Sequence, residues 1–187
     1  MKEIYILFTD PETWIAKSIR LFTKAEYNHV SIVLSNDLKE MYSFGRKKLN
    51  NPLSGGFVQE HPKQGIFARK PHIRCLLCSL TVTDQQFEVI NKYVQEMKEN
   101  ADAFKYNYFG ILGIVLNIAI DHDQRYFCSQ FVAFILEQAG IHQFGKPHAL
   151  IAPHEIQNLP FLTPIYEGNL HEYYEVQYKA PYFLSGI

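Results

Sequence analysis

Apolar residues occupy alternate positions over two stretches near the start of the chain, which is the spacing of a β-strand. In residues 2–8, Ile4, Ile6 and Phe8 share one face, and the intervening positions are mostly apolar as well. This pattern predicts a strand that is buried on both faces. Residues 28–34 alternate between an apolar set and a more polar set, which predicts a second strand with two distinct faces.

Further strands are predicted from apolar runs that are bounded by turn residues. A turn at residues 36–37 predicts that residues 40–45 form a third strand, which pairs with residues 28–34 in a hairpin. Residues 50–56 contain proline and glycine and predict a loop. The predicted further strands are residues 40–45, 66–69, 73–82 and 173–178.

Three longer stretches carry apolar residues at helical spacing. Residues 12–24 predict an amphipathic helix with Pro11 suited to its first turn. The second helix begins after Thr83, because Thr83 and Gln86 have the spacing of a capping box. Residues 127–139 predict a third helix, which a following glycine ends.

Two shorter segments complete the pattern. Residues 108–120 are strongly apolar but number about 13, whereas a membrane span needs about 20, so they predict a buried helix or pocket wall. Pro153 is typical of the start of a short helix. Hairpin-connected strands combined with separate helices predict one α+β domain over residues 1–187.

Composition narrows the class of protein. Hydrophobic residues make up 47% of the chain and charged residues 20%, with a net charge of -1, which is typical of a folded globular protein. The basic residues are scattered apart from two short runs, so we expect no nucleic-acid partner. The N-terminus lacks the pattern of a signal peptide, and three cysteines cannot all pair, so we expect a cytoplasmic protein with reduced thiols.

Cys128 falls in the first turn of the third predicted helix. The unpaired N–H groups of a helix N-terminus stabilise a thiolate, which is the reactive form of a cysteine nucleophile. The alternative is that Cys128 is a small buried residue without chemistry, as many free cysteines are. Its position favours the nucleophile.

A thiolate nucleophile needs a base that exchanges a proton near neutral pH, and histidine has this property. His29 is distinctive because it lies within a predicted strand, which holds an imidazole rigidly. His122 is closer to Cys128 in sequence, but its aspartate neighbours predict a solvated turn. The five histidines predicted to lie in exposed loops are His61, His72, His142, His148 and His171. We therefore select His29 as the base.

Metal sites are poorly supported. Cys75 and Cys78 form a single CxxC within an apolar strand, where their spacing directs the two thiols to opposite faces. A structural zinc site would require a second pair. His154 and Glu155 begin an HE pair that lacks the second histidine of HExxH. We predict no metal and no cofactor.

The blocks around His29 and Cys128 resemble the circularly permuted papain-like amidases and peptidases. These are the NlpC-type and YiiX-like proteins related to lecithin:retinol acyltransferase. The resemblance lies in TWIAKSIRLFTKAEYNHVSIVL, YFCSQFVAFIL and LPFLTPIYEG, and in the order of His before Cys. It implies a central antiparallel sheet packed with helices, attack by Cys128 on an acyl carbon, and proton transfer by His29.

The resemblance also implies a polar third residue, on the strand after the histidine, that orients the imidazole. Ser43 lies nearest to that position, and Glu40 is the alternative. We expect a cysteine hydrolase of amide bonds, with a small peptide or acyl-amide as substrate and peptidoglycan-type peptides included. A lipid acyltransferase or thioesterase and an inactive ligand-binding module are the alternatives.

Overall fold

One eight-stranded sheet organises the computed structural model, which describes residues 1–11, 26–48 and 50–179. The strands follow the spatial order β7-β6-β4-β3-β2-β1-β5-β8, and all neighbours are antiparallel except β6 and β7. The strands are β1 (Lys2–Thr9), β2 (His29–Val33), β3 (Met41–Lys48), β4 (Asn51–Glu60), β5 (Arg74–Val82), β6 (Lys105–Tyr106), β7 (Arg125–Tyr126) and β8 (Thr163–Asn169).

Helices cover both faces of this sheet. The α-helices are α1 (Gly65–Ala68), α2 (Asp84–Glu99), α3 (Tyr108–Leu116), α4 (Cys128–Gln138), α5 (Pro153–Gln157) and α6 (Leu170–Lys179), and a 3-10 turn spans His148–Leu150. Apolar side chains of α2, α4 and α5 join one hydrophobic cluster. Those of α1 and α6 join a second cluster on the other face. The α+β class predicted from the sequence is confirmed.

The central strand β1 is buried on both faces, as its composition predicts. Ile4, Ile6 and Phe8 contribute to the first cluster, whereas Tyr5 and Leu7 contribute to the second. The strand pairs with β2 on one side and β5 on the other. Burial of both faces therefore follows from its place in the middle of the sheet.

Several local predictions are confirmed. The Thr83 hydroxyl accepts from the Gln86 amide and the Gln86 side chain accepts from the Thr83 amide, so α2 begins with a capping box. Helix α4 starts at Cys128, and Pro153 is the first residue of α5. The helix predicted for residues 12–24 lies outside the described residues.

Two predictions in the first half of the chain are wrong. Residues 50–56 are predicted as a loop, but they form most of β4, where Gly55 and Gly56 are paired with β3. Glycines are needed there because Tyr106, Tyr108 and the Phe104 carbonyl lie where a Cβ at Gly55 or Gly56 would be. Residues 66–69 are predicted as a strand but lie mainly in α1, since an apolar run this short fits either structure.

The strand predicted at residues 173–178 is also wrong. This segment belongs to α6, and the last strand is β8, which comes just before it. Leu170, Tyr173 and Tyr174 are buried in the second cluster, and their i, i+3, i+4 spacing is helical. The aromatic residues thus follow the period of a helix although they favour strands by propensity.

Of the two alternatives predicted for residues 108–120, the buried helix is wrong because α3 is largely exposed, whereas Tyr108 at its start lines a cleft, as predicted for a pocket wall. Tyr108 lies against β4, but the helix exposes a row of large apolar side chains to solvent. The exposed fractions are 67% for Phe109, 58% for Leu112 and 65% for Leu116. Within the part of the chain that the structure describes, no helix has the length and apolar character needed to cross a bilayer.

Gly55 gives a test of this packing. A Cβ at Gly55 would lie 2.7 Å from Tyr106 Cβ and 2.6 Å from Tyr108 Oη, closer than real atoms approach. We expect Gly55→Ala to lower the free energy of unfolding by about 1–3 kcal/mol, because backbone or rings must shift. Urea denaturation measures the change.

Gly45→Ala is the matched control. A Cβ at Gly45 meets its nearest atom at 3.4 Å, which is ordinary contact. We expect the free energy of unfolding to change by no more than about 1 kcal/mol, the range of Gly-to-Ala effects at compatible sites. Equal losses in the two variants would contradict the packing described for β4.

Candidate active site

Cys128 and His29 meet where a helix and a strand both begin. Cys128 is the first residue of α4 and is 3% exposed, and His29 is the first residue of β2. Helix α4 packs on β2 and β3, which brings its N-terminus to the His29 end of the sheet. Both residues line one cleft, and Cys128 is among the groups that raise the pKa of His29. The structure therefore brings together the two residues selected from the sequence.

The start of α4 is held in place by side chains. Ser129 Oγ donates to the Ile151 carbonyl at 2.7 Å, and Gln130 Nε2 donates to Asp121 Oδ1 at 2.9 Å. Asn107 Nδ2 donates to Gln130 Oε1 at 3.2 Å. These bonds fix the turn that carries Cys128, and the preceding Phe127 places no side-chain cap over it. The first backbone N–H groups of α4, at the end that carries Cys128, therefore have no partner within the helix.

Glu60, from the end of β4, is the acidic partner of His29. The distance from His29 Nε2 to Glu60 Oε1 is 2.9 Å, and both side chains are 13% exposed. The second oxygen of Glu60 accepts a hydrogen bond from Ser31 Oγ at 2.5 Å. Nε2 is thus engaged by Glu60, which leaves Nδ1 as the ring nitrogen that does not contact this carboxylate.

The contact between His29 and Glu60 spans the intervening strand β3. β2 and β4 are separated by two strand spacings, or about 9–10 Å. Gly45 lies beneath the bridge, and a Cβ there would be 3.7 Å from Glu60 Oε1 and 4.0 Å from His29 Cε1. Both distances are ordinary van der Waals separations, so the length of the Glu60 side chain is what allows the contact across β3.

Charge interactions raise the pKa of His29. Burial, the largest single influence, lowers it, but the Glu60 carboxylate and the Cys128 sulfur act in the opposite direction and prevail. The pKa of His29 therefore lies well above its usual value of 6.5. The protonated form of the ring is therefore favoured relative to that of a free imidazole.

Ser43 does not occupy the orienting position predicted for it. Its hydroxyl is buried and donates to the Val30 carbonyl at 2.7 Å, which ties β3 to β2. The alternative residue, Glu40, is exposed at the end of the hairpin turn. The sequence prediction missed Glu60 because it assumed a partner on the adjacent strand and placed a loop where β4 runs.

Of the other imidazole groups, His61 lines the same cleft and its ring contacts Tyr174, whereas the other two thiols lie outside the cleft wall. Cys75 and Cys78 are buried on opposite faces of the sheet, as predicted, and burial raises the pKa of Cys75 to about 12 and that of Cys78 to about 11. His122 is exposed, as predicted for a solvated turn. Among the described residues, no group of three or more His, Cys, Asp or Glu is placed to hold a metal ion.

A cleft of about 240 Å³ opens onto the pair. Aromatic rings form part of its wall, including Tyr106 and Phe67, and the Phe67 ring lies 6.4 Å from that of His29 between centroids. Burial raises the pKa of Tyr106 well above its usual value, and the charge of Cys128 adds to this effect. The Tyr106 hydroxyl thus keeps its proton in the neighbourhood of the sulfur.

No protein-family model matches the chain, and no curated protein matches it significantly. The inference of function therefore depends on the fold and on the geometry of Cys128, His29 and Glu60.

The role of Glu60 gives a second test. We expect Glu60→Gln to lower the pKa of His29, because the loss of the carboxylate charge leaves burial as the main influence. Glu60→Asp keeps the charge but shortens the side chain, so we expect it to lower the pKa as well. The pH titration of the His29 ring by NMR measures both, with His29→Gln to assign the signal.

Ser31 and Ser43 provide the matched pair for this titration. Ser31→Ala removes a hydrogen bond to Glu60, and we expect a smaller decrease in the pKa of His29. Ser43→Ala removes a hydroxyl that bonds elsewhere, and we expect no decrease. An unchanged pKa in Glu60→Gln, or a larger decrease in Ser43→Ala than in Ser31→Ala, would contradict the assignment of Glu60.

Proposed function

We propose that this protein is a cysteine hydrolase of amide bonds, with Cys128 as nucleophile, His29 as base and acid, and Glu60 as the residue that orients His29. The observation that carries the proposal is the meeting of Cys128, His29 and Glu60 at one cleft, where His29 Nε2 lies 2.9 Å from Glu60 Oε1. A nucleophile, a base and an orienting acid in sequence define this type of catalysis.

The proposed reaction proceeds in two steps. The Cys128 thiolate attacks the carbonyl carbon of the amide, and the tetrahedral intermediate collapses as His29 gives a proton to the leaving amine. This breaks the C–N bond and leaves a thioester on Cys128. Neutral His29 then takes a proton from water, whose oxygen attacks the thioester and releases the carboxylic acid.

Two donors are suited to the oxyanion of the intermediate. The amide of Cys128 is the first N–H of α4 and has no partner within the helix. The Tyr106 hydroxyl is the second candidate, since its raised pKa keeps it protonated near the sulfur. Both groups are in place before the reaction, which is the condition for strong stabilisation of the developing charge.

We propose the circularly permuted papain-like class, of the NlpC and YiiX type, for this domain. The support is that the histidine strand β2 precedes the cysteine helix α4 in the chain, and that β2 belongs to a mostly antiparallel sheet. Glu60 supplies a polar partner for the imidazole, although from β4 and not from the strand after the histidine as the resemblance implies. Small peptides or acyl-amides, including peptidoglycan-type peptides, are the proposed substrates.

Reactivity of the thiols tests the nucleophile. We expect iodoacetamide at neutral pH to modify Cys128 alone in the folded protein, because burial raises the pKa of the other two thiols to about 11 and 12. We expect His29→Gln to slow the reaction at least about tenfold, since the imidazolium stabilises the thiolate. Peptide mass spectrometry locates the modified residue.

Turnover requires a second measurement. We expect p-nitrophenyl acetate to give a burst of one equivalent of p-nitrophenol and an acetyl group on Cys128, followed by cleavage of amide bonds in a mixture of short peptides. Cys128→Ala should abolish both. Alkylation without a burst or peptide cleavage would reject the hydrolase and support a binding module, and equal cleavage by Cys128→Ala would reject the nucleophile.

A lipid acyltransferase or thioesterase is the second candidate function. The exposed apolar side chains of α3 favour it, because Tyr108 of the same helix lines the cleft. Exposed apolar residues beside a catalytic cleft are typical of proteins that take acyl chains from a lipid surface.

Vesicle binding separates this candidate from the first. If the protein acts on lipids, we expect the wild type to sediment with vesicles of phosphatidylcholine and phosphatidylglycerol. We expect the double variant Phe109→Ser, Leu112→Ser to bind these vesicles with at least about tenfold lower affinity. Val176→Ser is the control, since Val176 is 66% exposed on α6. Wild-type protein that stays in the supernatant would reject the lipid candidate.

A further inference from the structure

We propose that Asn107 is a positioning residue of the reaction, which acts through Gln130 to hold the first turn of α4 against β6. Its effect is a fixed separation between Cys128, at the start of α4, and Tyr106, at the end of β6, whose amide and hydroxyl are the two donors proposed for the oxyanion. This inference rests on the proposed function, because it concerns the same reaction at the same cleft. It is carried by a network of buried hydrogen bonds between the two elements.

The backbone connects Tyr106 to the start of α4 over a short distance. Strands β6 and β7 are parallel, with Tyr106 opposite Tyr126, and the Asn107 amide donates to the Tyr126 carbonyl at 3.0 Å. Phe127 and Cys128 follow directly in the chain, so β7 leads into α4. Tyr106 and Cys128 both line the cleft. A shift of β6 relative to β7 would therefore change the separation of these two residues.

The Asn107 side chain adds a second connection between the same elements. Its Nδ2 donates to Gln130 Oε1 at 3.2 Å and to the Ile120 carbonyl at 2.9 Å. Its Oδ1 accepts from the Gly110 amide at 2.9 Å, at the start of α3. A Cβ at Gly110 would lie 2.4 Å from Asn107 Nδ2, so a glycine is required there for the amide to fit. Asn107 and Gln130 are each 1% exposed.

One carboxylate sets the direction of these side-chain bonds. Asp121, as a carboxylate, can only accept, so Gln130 directs Nε2 to its Oδ1, at 2.9 Å, and turns Oε1 toward Asn107. Asn107 then offers Nδ2 to Gln130, which leaves Oδ1 for the Gly110 amide. All four polar atoms of the two amides have a partner, and a fully satisfied buried network holds the elements that it joins in one relative position.

Two reactions at the Cys128 sulfur test this role. The thiolate attacks the carbonyl carbon of p-nitrophenyl acetate through an oxyanion, so that an S–C bond forms and p-nitrophenolate leaves. It attacks the methylene carbon of iodoacetamide without an oxyanion, and iodide leaves. Because the thiolate is the nucleophile in both, the ratio of the acylation rate to the alkylation rate reports stabilisation of the oxyanion and not the thiolate fraction. A residue that only stabilises the fold would not change this ratio.

We expect Asn107→Ala to lower the ratio about ten- to hundredfold. The variant no longer ties the first turn of α4 to β6 through side chains, and a misplacement of about 1 Å lowers a rate up to about a hundredfold. Stopped-flow absorbance of the released p-nitrophenolate measures acylation. Mass spectrometry of the protein at timed intervals measures alkylation.

An exchange of donor and acceptor tests the same contact without removing a side chain, and it serves if Asn107→Ala does not fold. Gln130→Glu places a carboxylate against that of Asp121, and we expect the ratio to fall about tenfold. Addition of Asp121→Asn lets an amide at position 121 donate to the carboxylate at position 130. We expect this double variant to return the ratio to within about threefold of the wild-type value.

Gln138→Glu is the matched control, since it makes the same substitution at the last residue of α4. Gln138 is exposed, and the Tyr93 hydroxyl, which donates to Gln138 Oε1 at 2.8 Å, can also donate to a carboxylate. We expect the ratio to stay within about twofold of the wild-type value.

The outcomes separate failure of this inference from failure of the proposed function. A wild-type ratio in Asn107→Ala or Gln130→Glu, including equal losses in both reactions, would overturn the positioning role while leaving the nucleophile intact. A double variant with a ratio no higher than that of Gln130→Glu would overturn it as well. Absence of acylation in the wild-type protein would overturn the proposed function, and this inference with it.

Discussion

The hydrogen bond between His29 and Glu60 is the contact on which the rest of the site depends. It joins β2 to β4 across Gly45 and engages Nε2 of the ring, at the cleft that Cys128 also lines. The neighbouring Ser31 holds the second carboxylate oxygen. Both the orientation of the ring and its raised pKa therefore depend on one carboxylate placed two strands away.

This arrangement explains why the base and nucleophile could be predicted from the sequence while the acid could not. Cys128 and His29 are recognisable locally, one by a helix start and the other by an alternating strand. Glu60 is defined by a contact between strands that are not neighbours, and no local pattern encodes such a contact. The polar residue nearest in the predicted hairpin, Ser43, instead bonds to the backbone of β2.

The same distinction applies to the fold. The elements with long and regular periodicity, such as β1, α2 and α4, could be predicted because each buries a face that its own sequence defines. Strand β4 could not, since its glycines suit a turn locally and are required in the strand by Tyr106 and Tyr108, which come 50 residues later. Tertiary packing overrides local propensity at such positions.

The site also has an energetic cost that argues for chemistry rather than stability. Removing His29 and Glu60 from water is unfavourable, and their attraction offsets only part of that cost, so a buried ion pair is weak support for a fold. Apolar residues of similar size at these two positions would satisfy the sheet equally well. The structure nevertheless places the pair at a cleft that is also lined by a cysteine at a helix N-terminus. A charged pair is useful at this place because it holds a proton ready for transfer beside a nucleophile.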